Sequence, residues 1–405
     1  MKAALSSFGI IGALALASAL GASAADHALP TLYSPPPPVS IDPATLANKA
    51  RFAVLPARNF DRGAVMAQST AGATIALWQR TVSAGGTQYT YAMVGKDPFV
   101  LQAKPTYKVK AVVIPLKLIF TSFGNYTADP AAADGTCSPA GTAAALTEAS
   151  PLFNSISGHV WNTNVGTGQY VDLFQRANYY TQTGPGSLNP TYHTTLTYTA
   201  APEISINVSG GDVVPGTCGN IGMLNFASWD NFIQTQLMPS LAAQSPQISP
   251  PTTLTIFLLY NVVLFNGTTS NCCVLGYHSG FNDPAYGGAF HTYTSVEFDT
   301  SKSFTGVDDI SAMSHEVAEW LDDPHGNNPT PSWGNIGQVS GCQANLEVGD
   351  PLSGTLSQIY MASNGYTYHV QDLAFTSWFY GDSPSSGVNG WYSFLGNFLS
   401  PAAPC

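Results

Sequence analysis

His315, Glu316 and Glu319, in the string HEVAE, have the types and spacing to hold a divalent metal and activate water beside it. His315 and Glu319 stand at i and i+4, so on a helix they share a face one turn apart and can grip one ion. Glu316 follows the first ligand, where it can take a proton from polarised water as general base. The string is a variant of H-E-x-x-H with Glu in place of the second His. A carboxylate still binds zinc, but its charge weakens the metal as a Lewis acid and makes harder divalent metals more competitive. Zinc is therefore the first expectation, with another divalent metal as the alternative.

Two side chains alone hold an ion weakly, so a third ligand is expected from beyond the helix. In CQANLEVGDPL, Glu347 and Asp350 lie in a loop long enough to return to it. Glu347 has the longer reach and ranks first, Asp350 second, and the other acid can brace the site from behind. His325 is a further alternative, at the last position of H-E-x-x-H-x-x-G-x-x-H, although Asp322 stands where that pattern has the Gly that turns the chain. His278, in GYHSG, is a candidate to support a ligand rather than to be one. No GxSxG elbow and no Walker loop is present.

These residues need a helix and a sheet to position them. Over Asp308–Leu321, Ile310, Met313, Val317, Trp320 and Leu321 fall on one face, the expected buried one. Asp308 or Asp309 is expected to cap this helix, and Asp323-Pro324 to stop it. TYTSVEFD before it reads as a strand. Further strands are expected over Gln88–Val94, Lys108–Phe120, Thr194–Val208 and Leu254–Leu264. Further helices are expected over Tyr170–Tyr180 and Trp229–Leu241, the last ended early by Pro239. The fold class is α/β (α+β): a mixed sheet, a metal-binding helix and a β-rich N-terminal half. The expected divisions are a signal over 1–24, a Pro-rich lead-in over 25–50, a β-rich half over 51–230 and the site-bearing half over 231–405. No Gly/Ser-rich hinge separates the halves, so one integrated domain is the alternative.

HEVAEWLDDP, followed by Trp333 and then LEVGD, resembles the HELAE…DP…W…EIGD pattern of exported zincin-like proteins. These include bacterial secreted proteins and the plant exordium/phosphate-induced family. The blocks VGTGQYVDLFQRANYY, CCVLGYHSGF and YHVQDLAFTSWFYGDSPSSGVNGWYSF are also similar to the bacterial group. The resemblance implies a zincin-like fold with ligands at His315 and Glu319, Glu316 as base, and Glu347 or Asp350 completing the site. Pro351 departs from it, because the family commonly continues there toward a Cys, whereas Cys342 lies upstream.

Composition narrows the function classes. Of 405 residues 44% are hydrophobic, which excludes wholesale disorder, and 13 Lys+Arg against 24 Asp+Glu deny a nucleic-acid binder its basic footprint. Ten of the acids fall between Glu297 and Asp350, as a cation site would require. Met1-Lys2, the apolar run Phe8–Leu20 and Ala22-Ser23-Ala24 read as an export signal, and no later run spans a bilayer. Export makes disulfides the default for the six cysteines. A bridge between the neighbours Cys272 and Cys273 would be strained, so Cys342 is expected to pair with one of them. The aromatic stretch Trp378–Tyr392 reads as core and rim packing. The sequence thus predicts a secreted or periplasmic metal-dependent hydrolase of metallopeptidase type, with an extracellular protein or peptide as substrate and no membrane partner after signal cleavage. The alternative is a non-catalytic exported binding or cell-envelope protein stabilised by its metal.

Overall fold

The computed structural model describes residues 29–138, 140–157, 165–244, 247–268 and 271–405. The signal expected over residues 1–24 lies outside them. The architecture is mixed α+β and rich in strands, carried by a twelve-stranded sheet. Thr253–Tyr260 lies in its middle, parallel to Thr106–Phe120 on one side and to Ala289–Phe298 on the other. TLTIFLLY is apolar nearly throughout and all eight residues are buried, as a strand covered on both faces demands. Ile204–Gly210 and Thr31–Ser34 extend one side in parallel. On the other side Cys272–Asp283 runs antiparallel to Ala289–Phe298, and Val262–Phe265, Asn220–Asn225 and Asp212–Pro215 follow. Arg51–Leu55 pairs in parallel with residues 274–279 of Cys272–Asp283, away from Ala289–Phe298.

Strands from both sides of residue 230 share this sheet, and so do both apolar cores. One core packs Met313, Val317, Trp320 and Leu321 against Val296, Phe298 and Phe174. The other packs Trp229, Phe232 and Ile233 against Phe257, Tyr277 and Tyr293 on the opposite face. Each such side chain removed from water contributes roughly 1.5–3 kcal/mol, and these cores offset the cost of the polar groups buried between them.

Several expected elements divide differently. Thr194–Val208 is two strands, His193–Ala200 and Ile204–Gly210, parted at Pro202, and both lie along the long strand Thr106–Phe120. Leu254–Leu264 breaks at Asn261, whose φ of 49° turns the chain toward a new neighbour. Pro239 does not end its helix. A wide π turn over Ile233–Leu237 precedes it, and the helical path continues over Met238–Ala242. Leu77–Ala84, which carries no strand expectation, pairs with Thr87–Val94 as a hairpin.

The site helix is Ser311–Asp322, and all twelve of its residues are buried, not one face alone. Neither Asp308 nor Asp309 caps it. Ile310 occupies the N-cap without a side-chain bond, while the Asp308 carboxylate is held by Lys302 Nζ and Asp309 Oδ1 accepts from Ile310 N–H. Asp323 ends the helix before Pro324.

Disulfides are present as expected, but the expected pairing of Cys342 is overturned. Cys342 pairs with Cys405, Cys137 with Cys218, and the neighbours Cys272 and Cys273 with each other. Cys342 lies in a strand paired to Pro329–Gly334, and Cys405 N–H donates to Ser332 O, so the C-terminus is laid beside that hairpin. No helix among the described residues is long and apolar enough to cross a membrane.

Candidate metal centre

The site helix lies against two strands of the sheet, Ala289–Phe298 and Cys272–Asp283. Trp320 Nε1 donates to Thr292 Oγ1 at 2.9 Å, which fixes the helix over the first. Against the second the approach is closer: a Cβ on Gly276 would sit 2.7 Å from Glu316 Cγ, so only glycine admits Glu316 there. His278, two residues on, points to the same side by strand alternation. Its Nδ1 lies 3.0 Å from Glu316 Oε2, and its Nε2 lies 3.0 Å from the Asp323 carbonyl at the helix end.

The loop after Cys342 closes the other side. Gly349 and Asp350 N–H groups both donate to Glu319 Oε1, at 3.0 and 3.2 Å. A Cβ on Gly349 would lie 2.5 Å from His315 Nδ1, so the loop packs directly on the imidazole edge. His315 Nε2 lies 3.0 Å from Glu319 Oε1 and 3.5 Å from Asp350 Oδ1, without hydrogen-bond alignment to either.

Two sets of donor atoms therefore converge, each within 4.8 Å: His315, Glu316 and Glu319, and His278, Glu319 and Glu347. Glu319 belongs to both. Glu347 reaches Glu319 and His278, with Oε2 3.8 Å from His278 Nε2, while Asp350 is the loop acid that reaches His315. His325 stands apart. Its ring lies between Phe60 and Phe290, with centroids at 4.7 and 5.0 Å, and both its nitrogens lack partners. His278, expected only to support a ligand, lies in a donor set itself. The available signal was its register two residues from a glycine on the helix-facing side.

The electrostatics are those of crowded acid in a dry place. His278, His315, Glu316, Glu319 and Glu347 are at most 1% exposed and Asp350 is 5% exposed. Burial pushes the Glu316 carboxyl up to about 7, against the opposing hydrogen bond from His278. Burial and the charges of Glu319, Asp323 and Asp350 raise Glu347 well above the usual range. Burial raises Asp350 to about 6, with the Glu319 charge adding to it. For Glu319 burial acts upward, but the His315 charge outweighs it and holds the carboxyl low. Burial pulls His315 down, and its acidic neighbours, Glu319 foremost, reverse that and raise it well above its ordinary value. His325 has no such neighbour, and burial takes it down to about 3.

A divalent cation fits these residues on their own evidence. Glu316 Oε1, Glu347 Oε2 and both His315 nitrogens are buried without a hydrogen-bond partner. Among the described residues the lysine ion pairs, Lys117–Asp129 and Lys302–Asp308, lie elsewhere and neutralise none of the site acids. Comparison with family models, curated proteins and solved structures found no match to this chain.

Proposed function

We propose that this chain is an exported metal-dependent hydrolase of peptidase type. The observation that carries the reading is the convergence of buried, partly unpartnered carboxylates and imidazoles with no lysine or arginine ion pair among the described residues to balance them. Leaving such charge unpaired costs several kcal/mol per group, and a bound cation removes that cost. Glu319, which belongs to both donor sets, holds the ion either with His278 and Glu347 or with His315, beside which Asp350 stands at 3.5 Å. Zinc is the first candidate, and the oxygen-rich donor set also suits harder divalent metals. When bound, the cation supplies Lewis acidity, lowering the pKa of water and stabilising an oxyanion.

The chain's own residues do the remainder. Glu316 is anchored through Oε2 by His278 and keeps Oε1 free. Its free oxygen is placed to accept a proton from the attacking water and to return it to the leaving amine, as a general base requires. The three disulfides suit an oxidising compartment, which supports export. A second reading, a metal kept only for stability in a non-catalytic exported binding or cell-envelope protein, is favoured by the near-complete burial of the site. Metal analysis of the purified protein, followed by peptide hydrolysis assays before and after chelation, tests both. Stoichiometric metal with chelator-sensitive hydrolysis supports the enzyme, metal without hydrolysis supports the second reading, and absence of metal overturns both.

A further inference from the structure

A hydrolytic site must admit a substrate, and here the candidate ligands are almost wholly covered. Opposite the loop at Gly349, the cover is one short stretch of chain. Arg51–Leu55 lies along residues 274–279 of the strand that carries His278, with Val54 in register with His278 itself. The Phe52 ring stacks on His315 at 3.9 Å and 18°. Further along, Ala57 N–H donates to His325 O and Phe60 packs on the His325 ring. Ten residues thus cross His315, His278 and His325 in turn.

One side chain clamps this stretch to the metal centre. Gln338 accepts from Phe52 N–H through Oε1 at 2.6 Å, donates from Nε2 to Phe52 O at 3.0 Å, and also donates to Asp350 Oδ1. Phe52 and Gln338 both line a surface cleft of about 290 Å³, so together they form the wall between solvent and His315. The stretch itself is shallowly held. Among the described residues its strand pairs on one side only; Arg51, Pro56, Arg58 and Asn59 are exposed, Ala53, Val54 and Leu55 are half-buried, and Phe52 and Ala57 are buried.

We propose that residues 51–60 are a self-inhibiting strap that occupies the seat of an extended polypeptide substrate, and that the site opens when the strap is displaced. The chemistry of the occupant names the ligand class. Main-chain groups at 274–279 pair with an extended backbone, and the space over His315 accepts an aromatic side chain. This rests on the metal-hydrolase reading, and it adds both the substrate class and its regulation.

The test uses the full mature protein loaded with zinc, as wild type, Phe52→Ala and Gln338→Ala. The first readout is the rate at which a chromophoric chelator strips zinc, and the second is cleavage of a quenched-fluorescence peptide. Both variants should release zinc roughly tenfold faster, the equivalent of one or two lost hydrogen bonds, and cleave faster by a similar factor. A synthetic peptide of residues 50–60 should then inhibit the Gln338→Ala variant. If wild type takes up no zinc, the metal reading falls and the strap falls with it. If wild type holds zinc and Gln338→Ala neither releases it nor cleaves faster, the strap alone is overturned. Gln338 is only half-buried, so this variant decides the matter even if Phe52→Ala fails to fold.

Discussion

His278 Nδ1 lies 3.0 Å from Glu316 Oε2, tying a sheet strand to the carboxylate expected to act as base. His278 Nε2 lies 3.0 Å from the Asp323 carbonyl and 3.8 Å from Glu347 Oε2, so the ring spans the helix end and the loop acid. Glu316 is thus held at one oxygen and has no hydrogen-bond partner at the other.

Glu316→Gln should therefore leave metal content and folding intact, because the amide keeps the shape and a contact to His278 but cannot accept a proton. Proton transfer by a positioned side chain is worth roughly 10²–10⁴-fold, so hydrolysis should fall by at least about 100-fold. Steady-state kinetics paired with metal analysis of the same sample measures this. Wild-type turnover in the variant would move the base elsewhere.

Gly349 sets a second expectation. Its added Cβ would meet His315 Nδ1 at 2.5 Å, so Gly349→Ala must push the loop off the imidazole and withdraw the two N–H donors from Glu319. Outer support of this kind is worth about 10–100-fold in metal affinity. Competition against a chromophoric chelator should show that loss with far-UV circular dichroism unchanged. Unaltered affinity would mean that the loop does not support the ligands.

The proximity of His315, Glu316 and Glu319 was legible in HEVAE because helical spacing places them together. Glu347 was expected beside both His315 and Glu319; it lies near Glu319 and His278, and the acid beside His315 is Asp350, because the chain packs at Gly349 against the ring. Phe52 and Gln338 were not legible: their contact joins residues 286 apart in sequence, and neither type signals chemistry. Periodicity marked Ile310, Met313 and Val317 as core, but the opposite face is buried too, a consequence of the loop and strap that tertiary folding lays over it. The cysteine pairing failed for a related reason. Adjacency argued against Cys272–Cys273, while the C-terminal residues that bring Cys405 to Cys342 carry no pattern of their own.

That pairing can be measured. Peptide mapping under non-reducing conditions should recover Cys342 linked to Cys405 across 63 residues and Cys137 to Cys218 across 81. Loops of this size constrain the unfolded chain by about 4 kcal/mol in the chain-entropy picture. Replacing Cys342 and Cys405 together by Ala should lower the thermal midpoint clearly. Recovery of Cys342 joined to Cys272 or Cys273 would restore the sequence expectation.

Asp322, the last residue of the site helix, offers a pH test in the metal-free protein. Its Oδ1 accepts from Gln175 Nε2 on the helix Tyr170–Asn178, while Oδ2 is buried without a partner. Burial lifts this carboxyl from 3.8 to about 8, against the Gln175 bond, with the Asp323 charge adding to the rise. The sign follows from proton uptake. Below pH 3.8 the group is protonated in both folded and unfolded chains and costs nothing. Between pH 3.8 and about 8 the folded chain holds the proton more tightly, so the stability present at low pH is progressively lost as pH rises. Each unit of that interval is worth up to about tenfold in the folding equilibrium. Asp322→Asn mimics the protonated carboxyl, keeps an acceptor for Gln175 and does not ionise. In chelator-containing buffer its unfolding midpoint should match wild type near pH 4 and exceed it increasingly toward pH 8. A difference that stays flat across that range would show that Asp322 does not titrate in this window.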